Sequence, residues 1–333
     1  MLRHQAGPGH PERPARLAAV VDALSAARLP RAEWVAPRPA ALDALTRIHH
    51  PEYVARLREL AGSHAQLDPD TGMGPDSQSA AWLAAGAAVD AVDAVVEGAS
   101  RRAFALVRPP GHHAEARRGM GFCLLNNIAI AAAHAVAAHG CKRVLVVDWD
   151  IHHGNGTQHV FATRDDVLFF STHRYPFYPG TGALEEVGRG AGAGFTFNVP
   201  MPWGLGDREY GAVFEQLLLP LADAYRPDLV LVSAGFDAHR DDPLGDQRVT
   251  EDGFAAMCGM VRDLADRHAG GRLVLFLEGG YDLSGLSRSA RGCAEVLCGA
   301  DPPQIRSALA ETRDLVGRIQ EVQGRYWPVF APG

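Results

Sequence analysis

Asp148, Asp150 and His152 follow directly on an unbroken apolar run, Val144-Leu145-Val146-Val147. Such a run reads as a fully buried strand. Alternate residues of an extended chain point the same way, so two carboxylates and an imidazole project together where a strand ends. In open parallel α/β sheets, ligands bind at the carboxyl ends of strands. Unpaired buried carboxylates are expensive, and the neighbouring sequence offers few arginines to pair them. A divalent cation offsets that cost. Aspartate oxygens combined with a histidine nitrogen suit Zn²⁺, with Fe²⁺ as the alternative, better than the all-oxygen cages of Ca²⁺ or Mg²⁺.

Four other strand-like runs also end in polar, titratable groups. His112 and His113 follow 103–107 within RPPGHHA, and Ser171, Thr172 and His173 follow 167–170. Asp237 follows 229–232 within SAGFDAH, and Tyr281 follows 273–277 within EGGYD. This recurrence argues for one assembled site at one end of a sheet. Asp150, His152 and Asp237 make a three-ligand set with a position left for water, the pattern of a catalytic metal. Such an ion acidifies water and polarises a carbonyl. The adjacent imidazoles of His112 and His113 supply a general base and an acid or electrostatic partner. Each needs a second group to fix its tautomer, and Asp148 is placed to hold one of them. Tyr281, beside Gly279 and Gly280, can donate to a developing oxyanion, the glycines allowing close approach. These parts suit metal-assisted hydrolysis of an amide. The sequence contains no nucleophile elbow, no Walker A loop and no glycine fingerprint opening a helix after the first strand.

The elements that must position these groups are strands at 103–107, 144–147, 167–170, 229–232 and 273–277. They alternate with helical stretches at 12–27, 51–61, 79–97, 126–139, 208–224, 251–268 and 285–299. Alternation of this kind predicts a mainly parallel sheet with helices on both faces. The expectation is a three-layer α/β/α fold in a single domain over residues 1–333. Residues 188–194, GRGAGAG, read as a loop, and the end of the chain as a helix and tail. The net charge of −7 argues against non-specific nucleic-acid binding and is compatible with a cationic substrate. No run of about 18 apolar residues stands out, so no membrane span is expected. The first residues lack the apolar core of a secretory signal. The 5 cysteines form no CxxC pair, which fits reduced thiols in a cytoplasm. Self-association is left open.

RPPGHHA, GFCLLNN (121–127), VDWDIHHGNGTQ, FYPGTG (177–182), SAGFDAHRDDPLG (233–245) and EGGYD together resemble the zinc-dependent histone deacetylase family. The flavour is that of bacterial class II-like deacetylases and acetylpolyamine amidohydrolases, on the arginase/deacetylase-like fold. The resemblance implies Zn²⁺ on Asp150, His152 and Asp237, with His113 as general base. His112 would be the electrostatic or acid partner, oriented by Asp148, and Tyr281 would polarise the acyl carbonyl. Phe122 and Tyr178 would line a narrow tunnel, with Gly121, Gly279 and Leu244 as further tunnel positions. A structural K⁺ would use Asp148, Ser171 and main-chain oxygens of Asp150, His152 and Thr172. Arg16, in HPERPARL, resembles an internal-channel arginine. The implied substrate is an acetylated lysine side chain, or an acetylated polyamine or other small amine. Leu244 leans away from polyamines, because some polyamine-selective relatives carry Glu there. A dinuclear-manganese ureohydrolase on the same fold would need a DAHxD strand end, where this chain has DWDIHH.

The chain departs from the family pattern in three ways. Few residues precede His4, so a first edge strand is expected to be missing or very short. The residue placed to orient His113 is Asn155 rather than Asp, which predicts a tuned base. No rim carboxylate is evident beyond the candidates Asp70 and Asp76. His4, His64, His134, His139, His159 and His268 read as core or capping residues, and His49 and His50, ahead of a Pro-initiated helix, as a cap or turn. His239 has no assigned ligand role, and Asp241, Asp242 and Asp246 read as a solvated loop.

Overall fold

A computed structural model describes residues 1–27, 29–308, 310 and 312–331. Its strands are β1 (Ala65–Asp68), β2 (Thr71–Met73), β3 (Arg102–Ala105), β4 (Val144–Asp148), β5 (Val167–Arg174), β6 (Thr196–Met201), β7 (Leu229–Ala234) and β8 (Leu273–Leu277). The first two form a separate antiparallel hairpin, and the other six form one sheet in the order β3-β8-β7-β4-β5-β6. Every pairing in that sheet is parallel. Among the described residues no strand precedes Ala65, and β3 is the sheet's edge on that side.

The sheet is buried on both faces, which is why its strands read as continuous apolar runs. In β4, Leu145 and Val147 enter one core layer while Val144 and Val146 enter the other. Burying side chains of this size contributes roughly 1.5–3 kcal/mol each, so the central strands are a rigid platform. One layer holds the helices Pro14–Ala27, Glu251–His268 and Leu283–Leu297. The other holds Ser77–Val96 and Asn127–His139.

The expected strands and long helices are present, with three instructive differences. Edge strand β6 was not expected: it follows the Gly-rich loop 188–194 and contains Pro200, which a sheet edge tolerates. The helix expected at 208–224 is interrupted by a π-helical turn, Phe214–Leu218, before Pro220. Proline removes one helical hydrogen bond and crowds the preceding turn, and a widened turn accommodates it. Helix Ser77–Val96 is long and apolar enough by composition to cross a membrane. Here its alanines pack into the domain core, and Arg38 and the histidines of the next helix engage its Asp90 and Asp93.

Candidate active site

The chain reverses its course across the sheet between β4 and β7, which lie side by side at the centre. Ligands gather at such switch points. β4 ends at Asp148, and the backbone turns through residues 149–153 instead of staying extended. The turn still brings Asp150 and His152 against Asp237, which follows β7. His152 Nδ1 lies 3.2 Å from Asp150 Oδ1 and 3.1 Å from Asp237 Oδ2. Main-chain donors aim both carboxylates: Gly279 N–H donates to Asp150 Oδ2 and Ile151 N–H to Asp237 Oδ1, each at 2.9 Å. Gly279 has to be glycine, because a Cβ there would sit 2.1 Å from Asp237 Oδ2.

Burial and the adjacent Asp150 charge push the Asp237 carboxyl above its usual range. Burial opposes charging of His152, but the two carboxylates outweigh it and raise the imidazole to about 10. Two buried carboxylates facing a single imidazole, all ligand atoms within 4.8 Å of one another, form a charge-deficient pocket. A divalent cation fits it in ligand type and in charge.

His112 and His113 stand beside this trio, their ring centroids 4.0 Å apart. His112 Nδ1 is 3.0 Å from Asp148 Oδ2, and its Nε2 is 3.8 Å from Asp150 Oδ1. His113 Nδ1 is 2.7 Å from Asn155 Oδ1. Burial disfavours the charged form of both rings. At His112 the Asp148 and Asp150 charges overcome it and raise the pKa well above the ordinary value. At His113 nothing overcomes it, and the His112 and His152 charges add to the depression. The two environments push the paired imidazoles in opposite directions, and such a separation marks acid and base roles.

Tyr281 follows β8, immediately ahead of the helix Leu283–Leu297, whose first turn Asp282 caps through Gly285 N–H at 2.6 Å. The buried guanidinium of Arg16 lies 4.8 Å from the Tyr281 ring centroid. Arg16 donates to the carbonyls of Glu278 and Gly280, each at 2.5 Å, and pairs with Glu12, which also takes a bidentate contact from Arg108. Arg16 is therefore a buried clamp on the tyrosine loop. Arg16 and Arg108 thus share the carboxylate of Glu12.

A cavity of about 140 Å³ opens above the trio, lined by His112, His113, His152, Tyr281, Gly121, Phe122, Tyr178, Leu244, Gly279, Pro110 and Asp70. All five expected tunnel positions line it. Phe122 meets Tyr281 edge-on at 5.8 Å and Tyr178 meets His113 edge-on at 5.1 Å. Gly121 takes a left-handed φ of +54°, and a Cβ there would strike His113. Of the two rim candidates, Asp70 faces the cavity and accepts from Gly121 N–H at 3.1 Å. Asp76 instead starts the helix Ser77–Val96. In the K⁺ set, Asp148 and Ser171 are register partners on β4 and β5, and Thr172 Oγ1 is 3.4 Å from the Asp148 carbonyl.

Three acidic residues escaped the sequence reading. Glu278 Oε2 accepts from the amides of Gly111 and His112 at 2.6 and 3.2 Å, and burial pushes it up to about 7. Its place at the end of β8, in the quoted EGGYD, was the available signal. Glu115 Oε1 accepts from Asn155 Nδ2 at 2.5 Å, which fixes the amide so that Oδ1 faces His113. Asp242 is not a solvated loop residue. It is buried and accepts from the amides of Tyr281, Asp282 and Leu244 at 2.6, 3.2 and 3.0 Å. Asp246 pairs with Arg174 instead, while His239 turns away to Glu251. His4 and His49 are buried, bonded to Ser77 and to the Asn126 amide, and His50 caps the helix Pro51–Glu59.

The family model for the histone deacetylase domain matches residues 10–297. The chain belongs to the histone deacetylase family. It is 37% identical to a probable deacetylase of Archaeoglobus fulgidus, over 99% of this chain and 97% of that one. It is 42% identical to the human polyamine deacetylase HDAC10 over 95% of this chain, but spans only about half of that protein, 49%. The crystal structure of the HDA15 HD domain superposes with a TM-score of 0.89 at 41% identity, covering 99% of this chain and 95% of that one. As a member of the histone deacetylase family it is a hydrolase acting on acetylated amides, in a single-domain α/β fold.

Proposed function

We propose that the protein removes an acetyl, or another short acyl, group from a lysine side chain of a protein or peptide. The observation that carries this reading is the adjacent pair His112 and His113, one held by Asp148 and the other by Asn155, at the floor of a narrow aromatic cavity beside a three-ligand metal pocket. Asp150, His152 and Asp237 would hold Zn²⁺, with Fe²⁺ as the alternative, supplying Lewis acidity toward the acyl carbonyl and toward water. Neutral His113 takes the proton of the attacking water. Water oxygen bonds to the acyl carbon, the carbon–nitrogen bond breaks, and the departing amine receives the proton back. His112 stays charged on Asp148 and stabilises the negative charge that develops. Tyr281 donates from its hydroxyl to the acyl oxygen. Burial keeps that phenol protonated, well above its ordinary pKa, with the Arg16 charge opposing. Asp148, Ser171 and the nearby main-chain oxygens would hold K⁺. The free cysteines suit a reducing, cytoplasmic setting.

Peptide is favoured over polyamine by the cavity wall. A polyamine carries a distal ammonium, and Leu244 presents hydrocarbon to it. Asp70 at the rim can accept hydrogen bonds from a peptide backbone. Polyamine remains the second reading because a relative named as a polyamine deacetylase is similar over almost the whole chain. The test is kcat/KM of the zinc-loaded enzyme on an acetyl-lysine peptide and on an acetylated diamine, side by side. Preference for the peptide supports the proposal, and preference for the diamine replaces it. In the same assay Tyr281→Phe should cost ~2.7–4 kcal/mol of transition-state stabilisation, as loss of an oxyanion donor does. Near-normal turnover in that variant would remove Tyr281 from the mechanism.

A further inference from the structure

Away from the catalytic pocket, two histidines converge on one carboxylate. The helix Asn127–His139 starts beside the catalytic histidines, where Asn126 at its cap donates to the His112 carbonyl. It then runs back along the sheet for 13 residues, roughly 20 Å at the α-helical rise. At its far end His134 Nε2 and His139 Nε2 each lie 2.7 Å from the same oxygen, Asp93 Oδ1, on the neighbouring helix Ser77–Val96. The two imidazoles meet edge to face, with centroids 5.3 Å apart. Their side chains are only 12% and 14% exposed and that of Asp93 27%, so the cluster is a recess with one open side.

We propose that Asp93, His134 and His139 form a second metal site, for a divalent transition-metal ion such as Zn²⁺ or Ni²⁺. The ligand atoms already lie within 4.8 Å of one another. Two imidazole nitrogens and one carboxylate oxygen with an open side are a ligand set for these ions and not for Mg²⁺ or Ca²⁺. His139 is the last residue of its helix, where the backbone dipole favours positive charge. Without an ion, each Nε2–H donates to Asp93. Binding moves each ring proton to Nδ1 and frees Nε2 for the metal. At His134 this requires Arg47 to withdraw, because its Nη1 sits 3.1 Å from His134 Nδ1. Arg47 keeps a partner when it does so, since its Nη2 already holds Asp43 at 2.8 Å. It is therefore a competing cation, and its removal should tighten the site.

The experiment is zinc binding to the enzyme whose catalytic site is already zinc-loaded, with bound metal counted by mass spectrometry across buffered free-zinc concentrations. A second equivalent should bind to the parent enzyme. It should weaken at least tenfold in His139→Gln and in Asp93→Asn, and strengthen in Arg47→Gln, with deacylation unchanged in all three. The Asn variant keeps the shape of the cluster, so it remains informative if the histidine variant folds poorly. A single equivalent in the parent, or a second equivalent indifferent to all three substitutions, overturns the proposal.

Discussion

His112 and His113 are covalent neighbours of the same residue type, buried in the same cavity wall, yet their surroundings push their pKa values in opposite directions. The difference lies one layer out. His112 faces the carboxylate of Asp148 and the edge of Asp150, whereas His113 faces the neutral amide of Asn155 and the rings of His112 and His152. Residue type thus supplies a candidate, and the partner of its Nδ1 assigns the role. Asn155 is itself held by Glu115, which accepts from His159 at 2.8 Å as well. The negative charge on the His113 side is thereby kept one residue further from the ring than on the His112 side.

Substitutions that exchange or erase these partners test the contrast, and the largest effect should come from the base. His113→Ala should lose roughly 10²–10⁴ in kcat with bound zinc unchanged, measured by metal analysis on the assayed sample. Zinc lost in parallel would make His113 a ligand instead. Asp148→Asn should come next. His112 then keeps the burial that disfavours its charge and loses the charge that favours it, so its pKa falls. Activity that needs His112 protonated should disappear at lower pH, moving the alkaline limb of the kcat/KM profile downward. An unmoved limb would show that His112 is not the group it reports.

Asn155→Asp has the opposite sign on the other ring. A carboxylate on Nδ1 raises the His113 pKa, so the ring is protonated over a wider range and the acidic limb moves to higher pH. Each unit of that movement corresponds to about 1.4 kcal/mol. Glu115→Gln should do least. It removes a charge one residue away and leaves the Asn155 amide free to turn, so a change of less than about tenfold is expected, recovered by Glu115→Asp. A loss as large as that of His113→Ala would mean that Glu115 reaches the substrate.

The contrast also separates what was legible in the sequence from what was not. Asp148, Asp150, His152, Asp237 and Tyr281 were legible because each follows an apolar run, and a parallel sheet delivers such positions to one end. Glu115, Glu278 and Asp242 were not, although Glu278 and Asp242 lie inside quoted motifs and Glu115 directly follows one. Their work is to accept hydrogen bonds from amides and side chains far away in sequence, and no periodicity encodes that pairing. In the fold, β7 and β8 were readable as buried apolar runs. β6 was obscured by Pro200, and the hairpin of β1 and β2 is too short to show an alternation. His134 and His139 read as ordinary helix histidines because their shared partner, Asp93, lies on another helix.

The most direct test of the central claim is an NMR titration of the imidazole nitrogens of His112 and His113, in zinc-free and zinc-loaded enzyme, with His112→Gln and His113→Gln as assignments. The account predicts that His112 remains doubly protonated to higher pH than His113 in both forms, with His113 neutral near neutral pH. A reversed order, or two rings titrating together, would contradict it.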